Sequence, residues 1–203
     1  IVSLFYNNFN YGGQLQSYAL TEIINQLLGG QGRAEQIRFD GSILDFIAIS
    51  PEKLPIRILK FPFRVAKLLV SRFFKKTSSN DSMKKDVPLE RKNAFNVFSN
   101  KHIPSSNQVY CWKTLKRSAE HYDAFIAGSD QVCNPQFYNP GYFLYGIPKT
   151  KYKASYAASI SQMELSEIQK RKYRKLLKNF NMISLRENTV DILEDIVDKK
   201  VEW

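Results

Sequence analysis

Asp123-Ala-Phe-Ile-Ala-Gly-Ser-Asp-Gln-Val-Cys-Asn-Pro135 is the stretch whose reading decides the fold. Ala124 to Ala127 is a short apolar run, long enough for one buried strand. It stops at Gly128, and Ser129, Asp130, Gln131 and Asn134 follow before Pro135 closes the loop. A buried strand that ends in glycine and small polar side chains is a common way to build a site in an open α/β sheet. Ligands there sit in the crevice at the carboxyl ends of the strands. Gly128 lets the backbone turn sharply and a ligand come close. Asp130 offers charge and an acceptor, Gln131 and Asn134 offer donors and acceptors, and Ser129 offers a hydroxyl. The competing reading is an ordinary β-to-α loop whose polar side chains satisfy their own backbone.

Strands and helices alternate on both sides of this stretch. Ile1 to Phe5 reads as a buried strand, Tyr6 to Gly13 as a turn, and Gln14 to Leu28 as a helix. In that helix Leu15, Ala19, Ile23 and Leu27 recur at helical spacing, with Leu20, Ile24 and Leu28 beside them. Gly29 and Gly30 end it. Its first N–H groups would face the crevice as an anion site, although Gly12-Gly13 is neither a GxGxxG fingerprint nor a Walker loop. Ala34 to Phe39 is a second strand, followed by Asp40 where a ribose acceptor often stands. Ile43 to Pro55 reads as an irregular apolar loop. Ile56 to Lys76 mixes apolar and basic residues around Pro62, which breaks or begins a helix, and Thr77 to Lys85 is a polar loop. Val87 to Ile103 is helical with Phe95 and Phe98 on its buried side. Asn107 to Trp112 is extended, Lys113 to His121 a short helix, and Tyr142 to Ile147 an aromatic segment packed across the sheet end. Lys153 to Ile160 is a strand of small residues. Leu165 to Phe180 is a basic helix with Ile168, Leu176, Leu177 and Phe180 as its apolar residues. Met182 to Asn188 is a strand, Thr189 to Val197 a helix, and Lys200 to Trp203 the start of another strand. Such alternation implies an α/β fold with a parallel sheet.

Composition narrows the function classes. The chain of 203 residues has 43% hydrophobic residues, enough for a real core, and no apolar run long enough to span a bilayer. Two cysteines without metal-ligand spacing exclude a disulfide scaffold and make a reducing cytoplasm the default. Neither a metal site nor a resident cofactor is expected. The net charge is +11, and Arg57 to Arg117 alone holds fifteen Lys/Arg against three acidic residues. Such a field favours anionic partners. Nucleic acid is disfavoured, because the basic residues lie mainly on helices without interleaved exposed aromatics or a recognised motif. The remaining readings are solvated helix faces and, for Ile56 to Lys76, peripheral contact with the inner face of a membrane. Both chain ends read as cut through strands, so residues 1–203 are expected to be one domain of a longer protein.

Four blocks line up in order: Asn10-Tyr-Gly-Gly-Gln-Leu-Gln-Ser-Tyr-Ala-Leu20, Tyr122 to Pro135, Ala154-Ser-Tyr-Ala-Ala-Ser159, and Ile183-Ser-Leu-Arg-Glu187. Together they resemble the polysaccharide pyruvyl transferase family, with two departures: Gly13 where Ala is common, and Cys133 where Trp is common. The resemblance implies a Rossmann-like domain forming the amino-terminal half of a GT-B-like two-domain enzyme, with a second domain absent from this chain and the isolated domain inactive. It implies transfer of a pyruvyl group from phosphoenolpyruvate, a donor substrate rather than a cofactor. The acceptor would be a sugar of a cell-surface polysaccharide or its lipid-linked precursor, and the product a ketal. Asp130 becomes the candidate general base. Asn10, Gly12, Gln14, Gly128, Ser129, Gln131, Asn134 and Arg186 become candidate substrate contacts, Arg186 as a bidentate anion binder. Structural readings stand beside these roles: Asn10 as a helix cap, Asp130 as a loop brace, and Arg186 as an ion-pair partner of Asp130 or Glu187. A non-catalytic carbohydrate-binding or scaffold domain of the same fold is the alternative function.

Overall fold

The structure, a computed structural model, describes residues 1–41, 87–135, 138–162, 164–188 and 190–203. The segments Ile43 to Pro55, Ile56 to Lys76 and Thr77 to Lys85 lie outside the described residues. The helices are α1 (Tyr11–Leu28), α2 (Leu89–His102), α3 (Glu167–Leu177) and α4 (Val190–Val197). The strands are β1 (Gln36–Phe39), β2 (Ser105–Tyr110), β3 (Ala124–Asp130) and β4 (Tyr152–Ala158).

Local chemistry explains where these elements begin and end. Asn10 caps α1 by accepting from the Gly13 N–H, and Gly29 closes it in the left-handed conformation. Ser166 and Gln169 form a reciprocal capping box at the start of α3. Pro88 precedes α2, which carries Glu90 in its first turn and Lys101 and His102 in its last, the polarity that suits the helix dipole. Among the described residues no helix is long and apolar enough to cross a membrane.

The strands form short parallel pairs, β1 with β2 and β3 with β4, and bridges knit the pairs into one layer. Residues 1–5 lie between β1 and β3: Ile37 N–H donates to the Ile1 carbonyl at 2.7 Å, and Val2 N–H to the Ile126 carbonyl at 2.8 Å. Beyond β4, residues 182–185 add bridges at Ala154–Met182 and Ala158–Leu185, and Ser184 then bridges Glu202. In chain order the seven segments therefore lie third, second, first, fourth, fifth, sixth, seventh across the sheet. The protein is α/β with a parallel layer. Its order reverses between residues 1–5 and β3, where open sheets of this kind leave a crevice at their carboxyl ends.

Helix α1 docks with its polar face, a correction to the sequence pattern. Its buried residues are Gly13, Gln14, Ser17, Leu20 and Thr21, whereas Leu15, Ile23 and Leu27 are exposed. The reason is a closed hydrogen-bond seam under the helix. Ser3 Oγ donates to Gln36 Oε1 at 2.7 Å and meets Ser17 Oγ at 2.8 Å. Gln36 Nε2 donates to Thr21 Oγ1 at 3.0 Å and to the Ser17 carbonyl at 3.2 Å. Buried polar groups that find partners settle without penalty. The small Ser and Thr side chains also bring the helix close to the sheet. At the same end, a Cβ on Gly13 would lie 2.9 Å from the Leu4 carbonyl, so the glycine in place of the commoner alanine matches a close approach of backbones.

The apolar core lies farther along the layer. Phe39, Leu115, Phe125, Phe143, Ile160, Leu177 and Leu185 are fully buried. The turn Pro140–Phe143 brings aromatic rings across the end of β1, with Tyr142 edge-on to Phe39 at 5.0 Å. In α3, Leu177 is buried as the pattern implies, while Ile168 is 68% exposed and Tyr173 takes the core position. The Tyr173 ring stands perpendicular to Phe143 and its hydroxyl donates to the Cys133 carbonyl, a polar end that Ile168 lacks. Residues 1–5, 182–188 and 200–203, read from sequence as strands, join the layer through isolated bridges and the main-chain bonds around them, over fewer residues than the pattern implies.

Gly128 marks the tightest point of the layer. Its φ is +132°, and a Cβ there would lie 2.2 Å from the Tyr156 carbonyl oxygen of β4. The Gly128–Ser129 peptide bond is cis. Gly128→Ala is expected to lower stability by about 3 kcal/mol or more, through both the clash and the φ. Urea denaturation of the two proteins checks this; a change under about 1 kcal/mol would contradict the close packing of β3 on β4.

Candidate functional site

The carboxyl ends of β3, β4 and residues 182–185 are tied into one row by main-chain bonds. Ser159 N–H donates to the Asp130 carbonyl at 2.8 Å, and Arg186 N–H to the Ala158 carbonyl at 3.0 Å. Residues distant in sequence thus present their side chains together. The Arg186 guanidinium Nη1 lies 3.8 Å from Asp130 Oδ1, with the side chains 49% and 32% exposed. A pair this open contributes little to stability, and it faces the edge where a ligand would arrive. Of the two brace partners open to Arg186, the structure places it beside Asp130.

Glu187 is the residue that sequence reasoning left out of the site. Its carboxylate accepts from Ser159 Oγ and, through Oε2, from the Ile160 N–H at 3.3 Å. Ser159 Oγ in turn meets Ser161 Oγ at 2.8 Å. The row therefore carries two carboxylates, a guanidinium and two hydroxyls. The signal was present in the Arg186-Glu187 dipeptide, but the tie to Ser159 joins separate strands and has no local pattern.

The backbone of this row is unusual. Asp130 has φ +73° and ψ −164°, a region that essentially only glycine visits. Ala157 and Ser161, at the end of β4, have φ of +46° and +54°. Strained residues persist where the surroundings over-determine them, and they cluster at ligand sites. Next to Asp130, Asn134 Nδ2 donates to Gln131 Oε1 at 3.2 Å; Ser129 and Asn134 are buried and Gln131 is half-buried. These side chains belong to the loop more than to its surface.

Across the crevice, Asn10 and Gly12 are exposed at the start of α1. The Asn10 carbonyl oxygen of the side chain accepts from Gly13 N–H at 3.3 Å. Gln14 is buried, and its amide is spent inside the chain. Nε2 donates to the Phe5 and Asn8 carbonyls at 2.8 Å each, and Oε1 accepts from Ser99 Oγ at 2.5 Å. In this structure Gln14 shapes the turn that presents Asn10 and Gly12. Among the described residues no group of three or more His, Cys, Asp or Glu side chains is placed to hold a metal ion.

Behind the loop, Cys133 occupies a buried position and its carbonyl accepts from the Tyr173 hydroxyl. Burial pushes the Cys133 thiol up to about 12, with the charge of Glu187 adding to the effect. It therefore stays a protonated packing group at neutral pH. At pH 8 a thiol-specific reagent is expected to label half-buried Cys111 and leave Cys133 untouched until denaturant is added. Rapid labelling of Cys133 in the folded protein, read by peptide mass spectrometry, would contradict this packing.

Neither a curated protein nor a solved structure matches the chain. The family described as polysaccharide pyruvyl transferase matches it over residues 10–196. The match takes in the start of α1, the Asp130 loop and the Arg186-Glu187 end together, and covers nearly the whole chain rather than an amino-terminal part of it. The chain belongs to the polysaccharide pyruvyl transferase family.

Proposed function

We propose that this protein transfers a pyruvyl group from phosphoenolpyruvate to a sugar of a cell-surface polysaccharide or its lipid-linked precursor. In the balanced step, C2 of the donor gains two C–O bonds to two hydroxyls of one sugar and loses its phosphate. One hydroxyl proton ends on C3, turning the methylene into a methyl; the other leaves with the phosphate. No oxidant or reductant is needed, and no resident cofactor is invoked. The observation that supports the reading is the meeting of Asp130 and Arg186 at the carboxyl edge of a member of this family. Asp130 acts as general base toward an acceptor hydroxyl. Arg186 binds a carboxylate or phosphate oxygen, for which its planar fork is suited. Asn10, Gly12, Gly128, Ser129, Gln131 and Asn134 shape the walls that receive the sugar. Glu187 positions Ser159 and the strand ends.

In this reading residues 1–203 form one wall of a GT-B-like cleft, and a second domain completes it. Two walls are needed to exclude water and to hold donor against acceptor, which is the source of the rate gain. The enzyme works in the cytoplasm, peripheral to the inner face of the membrane. The test uses [2-13C]phosphoenolpyruvate with a panel of saccharides and a protein that carries this chain together with the proposed second domain. The expected product is a quaternary ketal carbon bonded to a new methyl, with one phosphate released per ketal. Saccharide binding without ketal from any acceptor would favour the non-catalytic carbohydrate-binding reading. Robust turnover by residues 1–203 alone would overturn the two-domain part.

A further inference from the structure

A second recess borders the amino ends of β1 and β2, at the opposite edge of the layer from Asp130 and Arg186. Its volume is about 590 Å³, within the roughly 300–1,000 Å³ of small-molecule sites. Arg33 before β1, Arg38 in β1, and Lys101 and His102 at the end of α2 line it, and Tyr18 and Glu22 of α1 supply another wall. Three permanent cations therefore stand against the single carboxylate of Glu22, a net +2 with His102 neutral. Lys101 and His102 also sit in the last turn of α2 and offset its free carbonyls, which would otherwise repel an anion.

Arg38 is held in place for an incoming group. Its Nε donates to Ser105 Oγ at 3.1 Å, and its own backbone N–H donates to Ser106 Oγ at 3.0 Å. The side chain is half-buried, yet its two Nη atoms have no hydrogen-bond partner and no ion pair among the described residues. A half-buried guanidinium without a counter-charge is an arrangement that an anion completes. Arg33 and Lys101 are likewise without an ion pair among the described residues. Glu35, two residues from Arg33, accepts from the Tyr122 hydroxyl instead and does not line the recess. Two rings fix His102 at the rim: Tyr18 stands edge-on to it at 6.2 Å, and Phe98 lies tilted at 5.1 Å.

We propose that this recess is a binding site for a small phosphorylated polyol, with the phosphate on Arg38, Arg33 and Lys101 and a hydroxyl on Glu22. The site is separate from the carboxyl edge and uses none of the residues assigned to pyruvyl transfer. Charge selects the class. A phosphate monoester carries about −1.5 to −2 at neutral pH, which matches the net charge of the recess. The planar fork of arginine suits its oxygens. Glu22 selects within the class: a carboxylate accepts from hydroxyls but repels a bare polyanion. It likewise weighs against a nucleic-acid backbone, whose phosphates carry one charge each and follow one another closely. Asn100, also on the lining, offers a further donor and acceptor for the polyol.

Calorimetric titration of the full chain with ribose 5-phosphate tests this, beside ribose, inorganic phosphate and a single-stranded oligonucleotide at one ionic strength. Ribose 5-phosphate is expected to bind at least ten-fold more tightly than ribose or inorganic phosphate. Arg38→Gln should weaken it at least ten-fold. Arg33→Gln, at an exposed position outside any hydrogen bond of the fold, should weaken it several-fold with an unchanged melting temperature, so the proposal is tested even where Arg38→Gln destabilises the strand. Glu22→Gln should erase most of the preference over inorganic phosphate, because it removes the acceptor for the hydroxyl and the repulsion of the bare anion together. Arg186→Gln should leave ribose 5-phosphate binding unchanged. Binding that survives both arginine substitutions, or that is lost in Arg186→Gln, would overturn the proposal. So would inorganic phosphate binding as tightly as ribose 5-phosphate, or an oligonucleotide outcompeting it at this recess.

Discussion

Gln36 is wholly buried beneath α1, and both ends of its amide are hydrogen-bonded, to Ser3 on one side and to Ser17 and Thr21 on the other. Each such bond contributes only about 1 kcal/mol net, but leaving one of these groups unpaired would cost roughly 1–3 kcal/mol. Rotating α1 to bury its leucines would leave several unpaired at once. The seam therefore fixes which face of α1 meets the sheet. The rest follows: the N-terminus of α1 points into the crevice, Gln14 is committed to the turn, and the Leu15 to Leu27 stripe is left outside.

The same logic of saturated internal bonds organises the opposite wall. Main-chain bonds align Asp130, Ser159 and Arg186, and Glu187 fastens the end of β4 through Ser159 and Ile160. With the strand ends held this way, Asp130 can occupy a conformation that would otherwise cost about 1–3 kcal/mol. Strained residues such as this cluster at functional sites. A role in the site also supplies a reason for aspartate here that loop stability does not, since glycine would fit the backbone better.

Much of this was legible in the sequence, for identifiable reasons. The strand at Ala124 and its polar loop were legible because a short apolar run meeting glycine has few other readings. The alternation of elements implied a parallel layer, and the four motif blocks pointed to the family. The orientation of α1 was misread because Leu15, Ala19, Ile23 and Leu27 form the stronger stripe by hydrophobicity. Ser17, Thr21 and Gln14 share a face too, but their burial depends on Ser3 and Gln36, which lie on other segments. The extent of the strands at residues 1–5 and 182–188 was overestimated, since apolar content does not report how many ladder bonds form. The tie of Glu187 to Ser159 and the φ of Asp130 had no local signature, since the first joins separate strands and aspartate rarely adopts the second.

The central claim is that Asp130 is kept for its carboxylate against the preference of its backbone. Asp130→Gly and Asp130→Asn test it together, by thermal melting paired with turnover of phosphoenolpyruvate on a saccharide acceptor. The account predicts that Asp130→Gly melts at or above the parent temperature, because the strained φ is relieved. It predicts that both variants lose on the order of 100-fold or more in turnover per folded molecule. A glycine variant that melts well below the parent, with turnover per folded molecule unchanged in both variants, would contradict it and leave Asp130 as a brace of the loop.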